Sequence, residues 1–205
     1  MIRRGHPRLV CAMNYSLPKT VTIDGEEHAI RYDFRVILQI LEMLNDPNLE
    51  SADKAEALVY MFYVEPEKLR SPKDAVEACF DFIDQNNRNQ KKSAKLIDWE
   101  QDFDYIISPV NRVLGRECRD IEYDDKNNTG GLHWWSFISA YMEIGSECLL
   151  SQIISIRDKQ VRGKKLEKHE REWLNRNRDL VEFKHTYTEA ENELIKQWTG
   201  GDTNG

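Results

Sequence analysis

Long apolar runs are absent from this 205-residue chain, since no segment approaches the roughly 20 apolar residues that a membrane-spanning helix needs. The first residues, MIRRGHPRLVCAMNYSLPK, include three arginines but no apolar core of about 7–15 residues, which a secretory signal requires. We therefore expect neither a membrane span nor export. Residues 1–12 are expected either to be disordered or to lie upstream of the true start, because the patterned sequence begins at Met13.

Cysteine is also scarce, and its spacing argues against a metal site. Cys11, Cys79, Cys118 and Cys148 include no Cys-x-x-Cys pair, whereas the ligands of structural zinc sites usually come in close pairs. Without a secretory signal, all four are expected to be reduced thiols that fill core positions as small hydrophobic side chains. No metal is predicted.

The recurring motifs of enzyme active sites are missing as well. The chain has no glycine-rich phosphate loop, no Gly-x-Ser-x-Gly, no His-Glu-x-x-His and no dinucleotide fingerprint. The segment that starts at Asp125 resembles the beginning of a calcium loop, but its twelfth position is Ser136, where that loop requires glutamate. We therefore predict no catalytic residues, no cofactor and no enzymatic activity.

The net charge of −7 is unevenly distributed along the chain. Residues 14–156 contain 15 Lys/Arg and 26 Asp/Glu, a balance of −11, whereas residues 157–185 contain ten against six, a balance of +4. An acidic body with a basic arm differs from the broad basic surface that nucleic-acid-binding proteins often show. Binding of nucleic acid is therefore disfavoured as the main role.

One segment has the pattern of a β-hairpin. In KTVTIDGEEHAIRY, Val21 and Ile23 alternate with polar residues, Asp24-Gly25 is a favoured tight-turn pair, and the alternation resumes at Ile30. An isolated two-stranded hairpin is marginally stable in water. We therefore expect this one to pack on a helix or to pair with another chain.

Helical periodicity dominates the rest of the chain. Apolar residues recur at helical spacing in three segments, which begin after Asp33, at Ser51 and after Ser71. Asp33 is a plausible N-cap of the first. The third opens with Ser71-Pro72-Lys73-Asp74, which combines an N-cap, a first-turn proline and a capping-box acid. Residues 98–115 continue the pattern, with Pro109 expected to kink or break the helix. Further helices are predicted from residue 131 to about 160, with a bend at Gly145, and over residues 188–198, while YDDKNNTGG is expected to be a loop.

These patterns predict a mainly α fold, in which a helical domain carries a small N-terminal β-hairpin. The predicted organisation is a disordered or non-native extension over residues 1–12, the hairpin over 13–33, a helical core domain over 34–160, a charged helical arm over 161–198 and a disordered tail over 199–205.

The stretch GLHWWSFISAYMEIG, from Gly131 to Gly145, concentrates two of the five tryptophans of the chain. On a helix it is apolar nearly all round, which is typical of a buried central helix. The alternative is that one aromatic face stays exposed for a partner, since Trp and Tyr are common interface anchors. His133 has no orienting acid nearby, so we expect it to cap the helix or to hydrogen-bond locally rather than to catalyse.

The arm RDKQVRGKKLEKHEREW is the best candidate for binding nucleic acid. Its basic residues could meet phosphates through their charge: Arg157, Arg162, Lys164, Lys165 and Lys168. Glutamates interrupt them at i,i+4 spacing, as on a solvated helix face. An acidic protein partner, including the acidic body of a neighbouring copy, suits this arm at least as well as DNA does.

Two stretches resemble known phage proteins. The segment VTIDGEEHAIRYDFRVILQILEML, a hairpin that runs straight into an amphipathic helix, is similar to the opening of many phage tail assembly chaperones. The segments LHWWSFISAYMEIG and IISIRDKQVRGKKLEKHEREW resemble a phage and prophage family named after gene product fifteen, whose members pair a Leu-His-Trp-Trp helix with a basic Gly-Lys-Lys-Leu arm. The resemblance covers roughly residues 14–183.

The resemblance implies a role in tail assembly and no catalytic residues. Such proteins are encoded near the tape-measure gene of long-tailed phages and are taken to hold the tape-measure protein until the tail tube polymerises around it. It thus implies a chaperone in the bacterial host cytoplasm whose partner is the tape-measure protein, and it leaves self-association open. We expect packing near a helix-binding groove from three aromatic residues and electrostatic contacts from three basic ones: Trp134, Trp135 and Tyr141, then Arg162, Lys164 and Lys165.

Two other functions stay open. The protein could be a structural tail or connector component that remains in the virion. Alternatively, it could be a nucleic-acid-associated phage protein that acts through residues 157–178.

A mutation distinguishes a core role of the aromatic residues from an interface role. If these residues all lie in the core, Trp135→Ala should unfold the protein rather than only abolish partner binding.

Overall fold

The structure, a computed structural model, describes residues 16–85 and 95–184. Within them the chain is mainly α-helical and carries two small antiparallel sheets, one of them an N-terminal hairpin, which confirms the predicted fold class. None of the helices in these two ranges is both long and apolar enough to span a bilayer. Predictions for residues 1–12, 188–198 and 199–205, and for Cys11, lie outside the described residues.

The predicted hairpin is present. Strand β1 (Thr20–Ile23) pairs antiparallel with β2 (Glu26–Ala29), and Asp24 and Gly25 form the two-residue turn with φ values of 52° and 84°. Positive φ at both positions is the requirement of the tight turn whose twist matches that of the strands. Ile23 is buried, so one face of the hairpin packs on the helices.

The helical part begins directly after the hairpin, and the remaining elements follow in chain order: α1 (Phe34–Asn45), α2 (Ser51–Phe62), α3 (Pro72–Ile83), α4 (Phe103–Leu114), β3 (Tyr123–Asp124), β4 (Thr129–Gly130), α5 (Trp134–Met142), α6 (Leu149–Val161), α7 (Lys168–Arg176) and α8 (Arg178–Val181). The Asp33 side chain caps α1 by accepting from the backbone N–H of Arg35 at 3.0 Å. Ser71 caps α3 in the same way through the N–H of Asp74. Both caps confirm the predicted helix starts.

Proline does not break α4. The helix begins at Phe103, later than predicted, and runs without interruption through Pro109 to Leu114. Pro109 removes one backbone N–H, but Ile106 and Val110 are buried on the same side of the helix, and their burial outweighs that loss. Of the kink or break predicted at Pro109, the break is therefore wrong.

Two other segments differ from the prediction. Two helices, α5 and α6, replace the single bent helix expected from residue 131 to about 160, because the Cys148 side chain accepts from the backbone N–H of Ser151 and so starts a new helix. The expected loop YDDKNNTGG forms the short hairpin of β3 and β4. The Asp124 side chain accepts from two backbone N–H groups of its turn, which stabilises it.

The core is organised around the point where α1 and α5 begin. The N–H of Phe34 donates to the carbonyl of Leu132 at 2.9 Å, and the N–H of Trp134 donates to the carbonyl of Tyr32 at 2.8 Å. The rings of Phe34 and Phe137 then stack with their centroids 4.7 Å apart. This crossing joins the N-terminal hairpin and helix to the tryptophan helix.

Candidate functional site

His133 closes the N-terminus of α5. Its Nδ1 accepts from the backbone N–H of Trp135 at 3.0 Å, and its Nε2 lies 2.8 Å from the carbonyl oxygen of Pro18. Both hydrogen bonds form when the proton is on Nε2 and the ring is neutral. Burial lowers the pKa of His133, which favours the neutral ring. His133 is thus the local cap that the sequence predicted.

The two adjacent tryptophans lie in the core. Trp134 is 2% exposed and Trp135 is 8% exposed. The indole N–H of Trp134 donates to the carbonyl of Ile83 at 3.0 Å, and that of Trp135 donates to the carbonyl of Phe82 at 2.8 Å. These carbonyls belong to the last turn of α3, where a helix has no donors of its own. The pair therefore joins α5 to the end of α3, and its predicted contact with a partner stays a prediction.

Trp99 connects this core to the surface. Its ring centroid lies 6.0 Å from that of Trp134 and 5.4 Å from that of Tyr141. Tyr141 is half-buried, and burial raises the pKa of its hydroxyl to about 12. Tyr141 therefore stays neutral at any physiological pH and packs as an aromatic side chain.

Trp99 also lines a groove on the surface of the molecule. The groove has a volume of about 590 Å³ and lies between the C-terminal end of α1, the connection to α2, and residues 95–100. Its apolar and aromatic lining comes from Met43, Pro47, Leu49, Trp99 and Phe183. Leu49 and Phe183 are 36% and 38% exposed, so part of this lining faces solvent. We refer to this feature below as the Trp99 groove.

The rim of the Trp99 groove is mostly acidic. Four carboxylates and two ammonium groups line it: Glu42, Asp46, Asp98, Glu100, Lys95 and Lys184. Burial alone would raise the pKa of Asp98, but hydrogen bonds from the Gln101 N–H and from Lys95 lower it overall. The Lys95 ammonium lies 2.7 Å from the Asp98 carboxylate, so this cation is already paired. Gln39, Asn45 and Asn48 complete the lining. A groove that combines apolar side chains with an excess of carboxylates suits an amphipathic helix flanked by basic residues.

The three predicted basic contacts lie elsewhere. Arg162, Lys164 and Lys165 are exposed and occupy the connection between α6 and α7. Arg162 pairs with Asp158 of the preceding turn at 2.7 Å. Among residues 16–85 and 95–184, no hydrogen bond, ion pair or ring contact joins this connection to Trp134, Trp135 or Tyr141. The structure brings the basic residues together with one another but not with the aromatic ones.

Arg157, the first basic residue of the predicted phosphate-binding arm, is not on the surface. It is 2% exposed and makes a bidentate pair with Asp102, which is fully buried, at 2.5 and 3.0 Å. The same guanidinium donates to the carbonyls of Leu96, Leu180 and Val181. Arg157 is therefore not one of the residues of the arm that could meet phosphates, because its guanidinium is buried and already has all these partners.

Sequence reasoning missed the Trp99 groove and the position of Phe183. The guanidinium carbon of Arg157 lies 4.1 Å from the centre of the Phe183 ring, which places that ring at the groove. The sequence did contain a signal for the burial of Arg157. Arg157 follows Leu150 by seven residues and Ile153 by four, so it lies on the buried face of α6. Nothing local to Phe183 indicates its neighbours.

The described ranges contain no group of three or more His, Cys, Asp or Glu side chains arranged to hold a metal ion. Cys79 and Cys118 are buried and Cys148 is half-buried, all as free thiols. Burial raises the pKa of the Cys79 thiol, which keeps it protonated and unreactive.

Comparison with known proteins identifies a family. The family model described as "Bacteriophage Gp15 protein" matches residues 13–183. No curated protein and no solved structure matches the chain.

Proposed function

The chain belongs to the bacteriophage Gp15 protein family, and from that premise we propose that it is a tail assembly chaperone that binds the tape-measure protein during tail morphogenesis. It acts in the cytoplasm of the bacterial host, without a cofactor and without catalysis. The observation that carries the proposal is the Trp99 groove, which combines five apolar side chains with an excess of carboxylates.

The groove supports binding of a helix. A tape-measure protein is a long helix with apolar faces that needs a soluble cover before the tube forms. An amphipathic helix places apolar residues at i, i+3, i+4 and i+7, and a hydrophobic groove receives that face. Leu49 and Phe183 supply partly exposed apolar surface, and the carboxylates of Glu42, Asp46 and Glu100 at the rim would attract basic residues beside the apolar face.

The basic connection gives the proposal a second contact. Arg162, Lys164 and Lys165 stand exposed between α6 and α7, and we assign them to acidic segments of the same long partner. Their exposure also favours the alternative in which nucleic acid binds residues 157–178. Arg157 cannot contribute to such binding, because it is buried.

The test is a tagged pull-down from cells that produce the phage or prophage, with and without nuclease, followed by identification of the retained proteins by mass. Leu49→Arg introduces a cation into the groove and should reduce capture of the tape-measure protein. Val113→Arg is the matched control, because Val113 is 41% exposed on α4 and does not line the groove. Lys164→Glu/Lys165→Glu tests the basic connection separately.

The chaperone proposal expects a long helical tail protein to be retained after nuclease treatment, and the protein itself to be absent from finished virions. Its presence in purified particles would instead indicate a structural tail or connector component. Recovery of nucleic acid alone, lost at moderate salt and lost in the Lys164→Glu/Lys165→Glu variant, would contradict the chaperone role in favour of the nucleic-acid alternative.

A further inference from the structure

The hydrogen bonds of β1 show which of its backbone groups point outward. The N–H of Ile30 donates to the carbonyl of Lys19 at 3.1 Å, so Lys19 and Ile30 form a hydrogen-bonded pair of the hairpin. Such pairs alternate along antiparallel strands. Val21 and Ile23 therefore bond to β2, whereas the N–H and C=O groups of Thr20 and Thr22 point away from the hairpin.

The two edges of this hairpin differ. On the β2 side, the carbonyl of Ala29 accepts from the N–H of Val64 at 3.1 Å, and Ile30 forms a bridge with Tyr63. The end of α2 closes that edge from Ala29 onward, since the N–H of Arg31 also donates to the carbonyl of Phe62 at 2.7 Å. On the β1 side, no backbone or side-chain hydrogen bond within the described ranges reaches the outward groups of Thr20 and Thr22.

The open edge is short and is directly preceded by Pro18 and Lys19, but the strand itself carries none of the residues that usually protect an edge strand. Residues 20–23 read Thr-Val-Thr-Ile, without a charge, a proline or a bulge. Beside the edge lies a groove of about 360 Å³, lined by Val21, Ala78, Phe82 and Trp135 together with polar residues that include Asp81. A strand added here would find backbone partners at its side and a groove that is partly apolar.

We propose that β1 pairs antiparallel with β1 of a second copy of this chain, about a two-fold axis at Val21. In that register Thr20 of one copy lies opposite Thr22 of the other, and both residues present their free backbone groups to the interface. The faces also match, because Val21 and Ile23 of both copies lie on the core side and the threonines on the solvent side. The strand has no charge, so no like charges meet.

A second copy satisfies what the edge requires of its occupant, namely an uncharged extended segment with alternate apolar residues. Pairing would join two hairpins into one four-stranded sheet, with each copy's Val21 lining the partly apolar groove beside it. This interface is separate from the Trp99 groove, so the proposal stands or falls independently of partner binding. The Leu49→Arg variant should keep self-association.

Charge substitutions at the paired threonines test the register on the full chain, by sedimentation over a concentration series. Thr20→Lys/Thr22→Lys places lysine opposite lysine at both pairs and should weaken dimerisation by about tenfold or more. Thr20→Glu/Thr22→Lys places glutamate opposite lysine in the same register and should restore it, and within the hairpin its lysine lies opposite Glu27. Both threonine side chains are exposed, so each variant should unfold at the wild-type temperature.

Amide hydrogen exchange gives a second readout. In the wild-type protein, exchange at Thr20 and Thr22 should slow as the protein concentration rises, while exchange at Val21 should not depend on concentration. A chain that is monomeric at every concentration overturns the proposal. So does a Thr20→Lys/Thr22→Lys variant that dimerises like the wild type, or concentration-independent protection of Thr20 and Thr22, which would mean that another segment of the same chain covers the edge.

Discussion

Asp33 and His133 lie opposite each other in an antiparallel bridge, and each caps the helix that follows it. The Asp33 carboxylate also accepts from the backbone N–H of Leu132 at 2.8 Å, so the residue that caps α1 also fixes the segment that leads into α5. The bridge therefore makes the starts of α1 and α5 a single unit. The tight packing of this unit determines how it responds to substitution.

Gly131→Ala should destabilise the protein by about 3 kcal/mol or more. A Cβ at this position would lie 2.2 Å from Oδ2 of Asp33 and 2.9 Å from Cδ2 of Tyr123, and φ is +74°. Gly163→Ala is the control, because φ is +62° there but no atom lies within 4 Å of the added Cβ. It should cost about 1 kcal/mol. Urea unfolding measures both, and equal effects would show that only backbone strain matters at Gly131.

The neutral His133 predicts a loss of stability in mild acid. The pKa of His133 is lowered in the folded state, so the unfolded chain binds a proton more readily. The contribution of the neutral ring to the free energy of unfolding is therefore complete above the unfolded pKa of about 6.5. As the pH falls from there through the folded pKa, the contribution is lost, with a slope of up to about 1.4 kcal/mol per pH unit. His133→Asn keeps a capping acceptor but does not titrate, and it should unfold with less dependence on pH.

The measurement is the free energy of unfolding of wild type and His133→Asn at about pH 7.5 and about pH 5.5. The difference between the two proteins should change in favour of the variant at the lower pH. A difference that is the same at both pH values would show that His133 is not held neutral in the folded protein.

Local signals predicted the helix starts and the hairpin because the required residues are neighbours in the chain. Asp33 caps through the N–H two residues later, and Asp24-Gly25 forms its turn by itself. The candidate site could not be predicted in this way. Trp99 and Phe183 come from distant segments, and only the packing of α4, α6 and α8 brings them to one groove.

Trp135→Ala should unfold or strongly destabilise the protein, by about 3–5 kcal/mol, because its ring is buried and stacks on Phe82 with centroids 5.7 Å apart. Met142→Ala on the same helix is the control, since Met142 is 63% exposed, and should change stability by no more than about 0.5 kcal/mol. Chemical unfolding measures both. A Trp135→Ala protein with wild-type stability that no longer captures its partner would mean that this ring acts at an interface.

The pair of Arg157 and Asp102 joins residues 55 positions apart, and its burial decides how it responds to mutation. Arg157→Met leaves the Asp102 carboxylate without its partner in the core and should cost about 3–5 kcal/mol. Arg162→Met removes an exposed pair with Asp158 and should cost less than about 1 kcal/mol. The double variant Arg157→Met/Asp102→Leu removes both charges, but it leaves the carbonyls of Leu96, Leu180 and Val181 and the N–H of Asp98 without their side-chain partners. It should therefore recover only part of the lost stability. Urea unfolding of the four proteins measures these differences. If Arg157→Met lowers the free energy of unfolding no more than Arg162→Met does, the guanidinium of Arg157 is solvated. It would then not hold Phe183 at the Trp99 groove, and Arg157 would belong with the exposed basic residues of the arm.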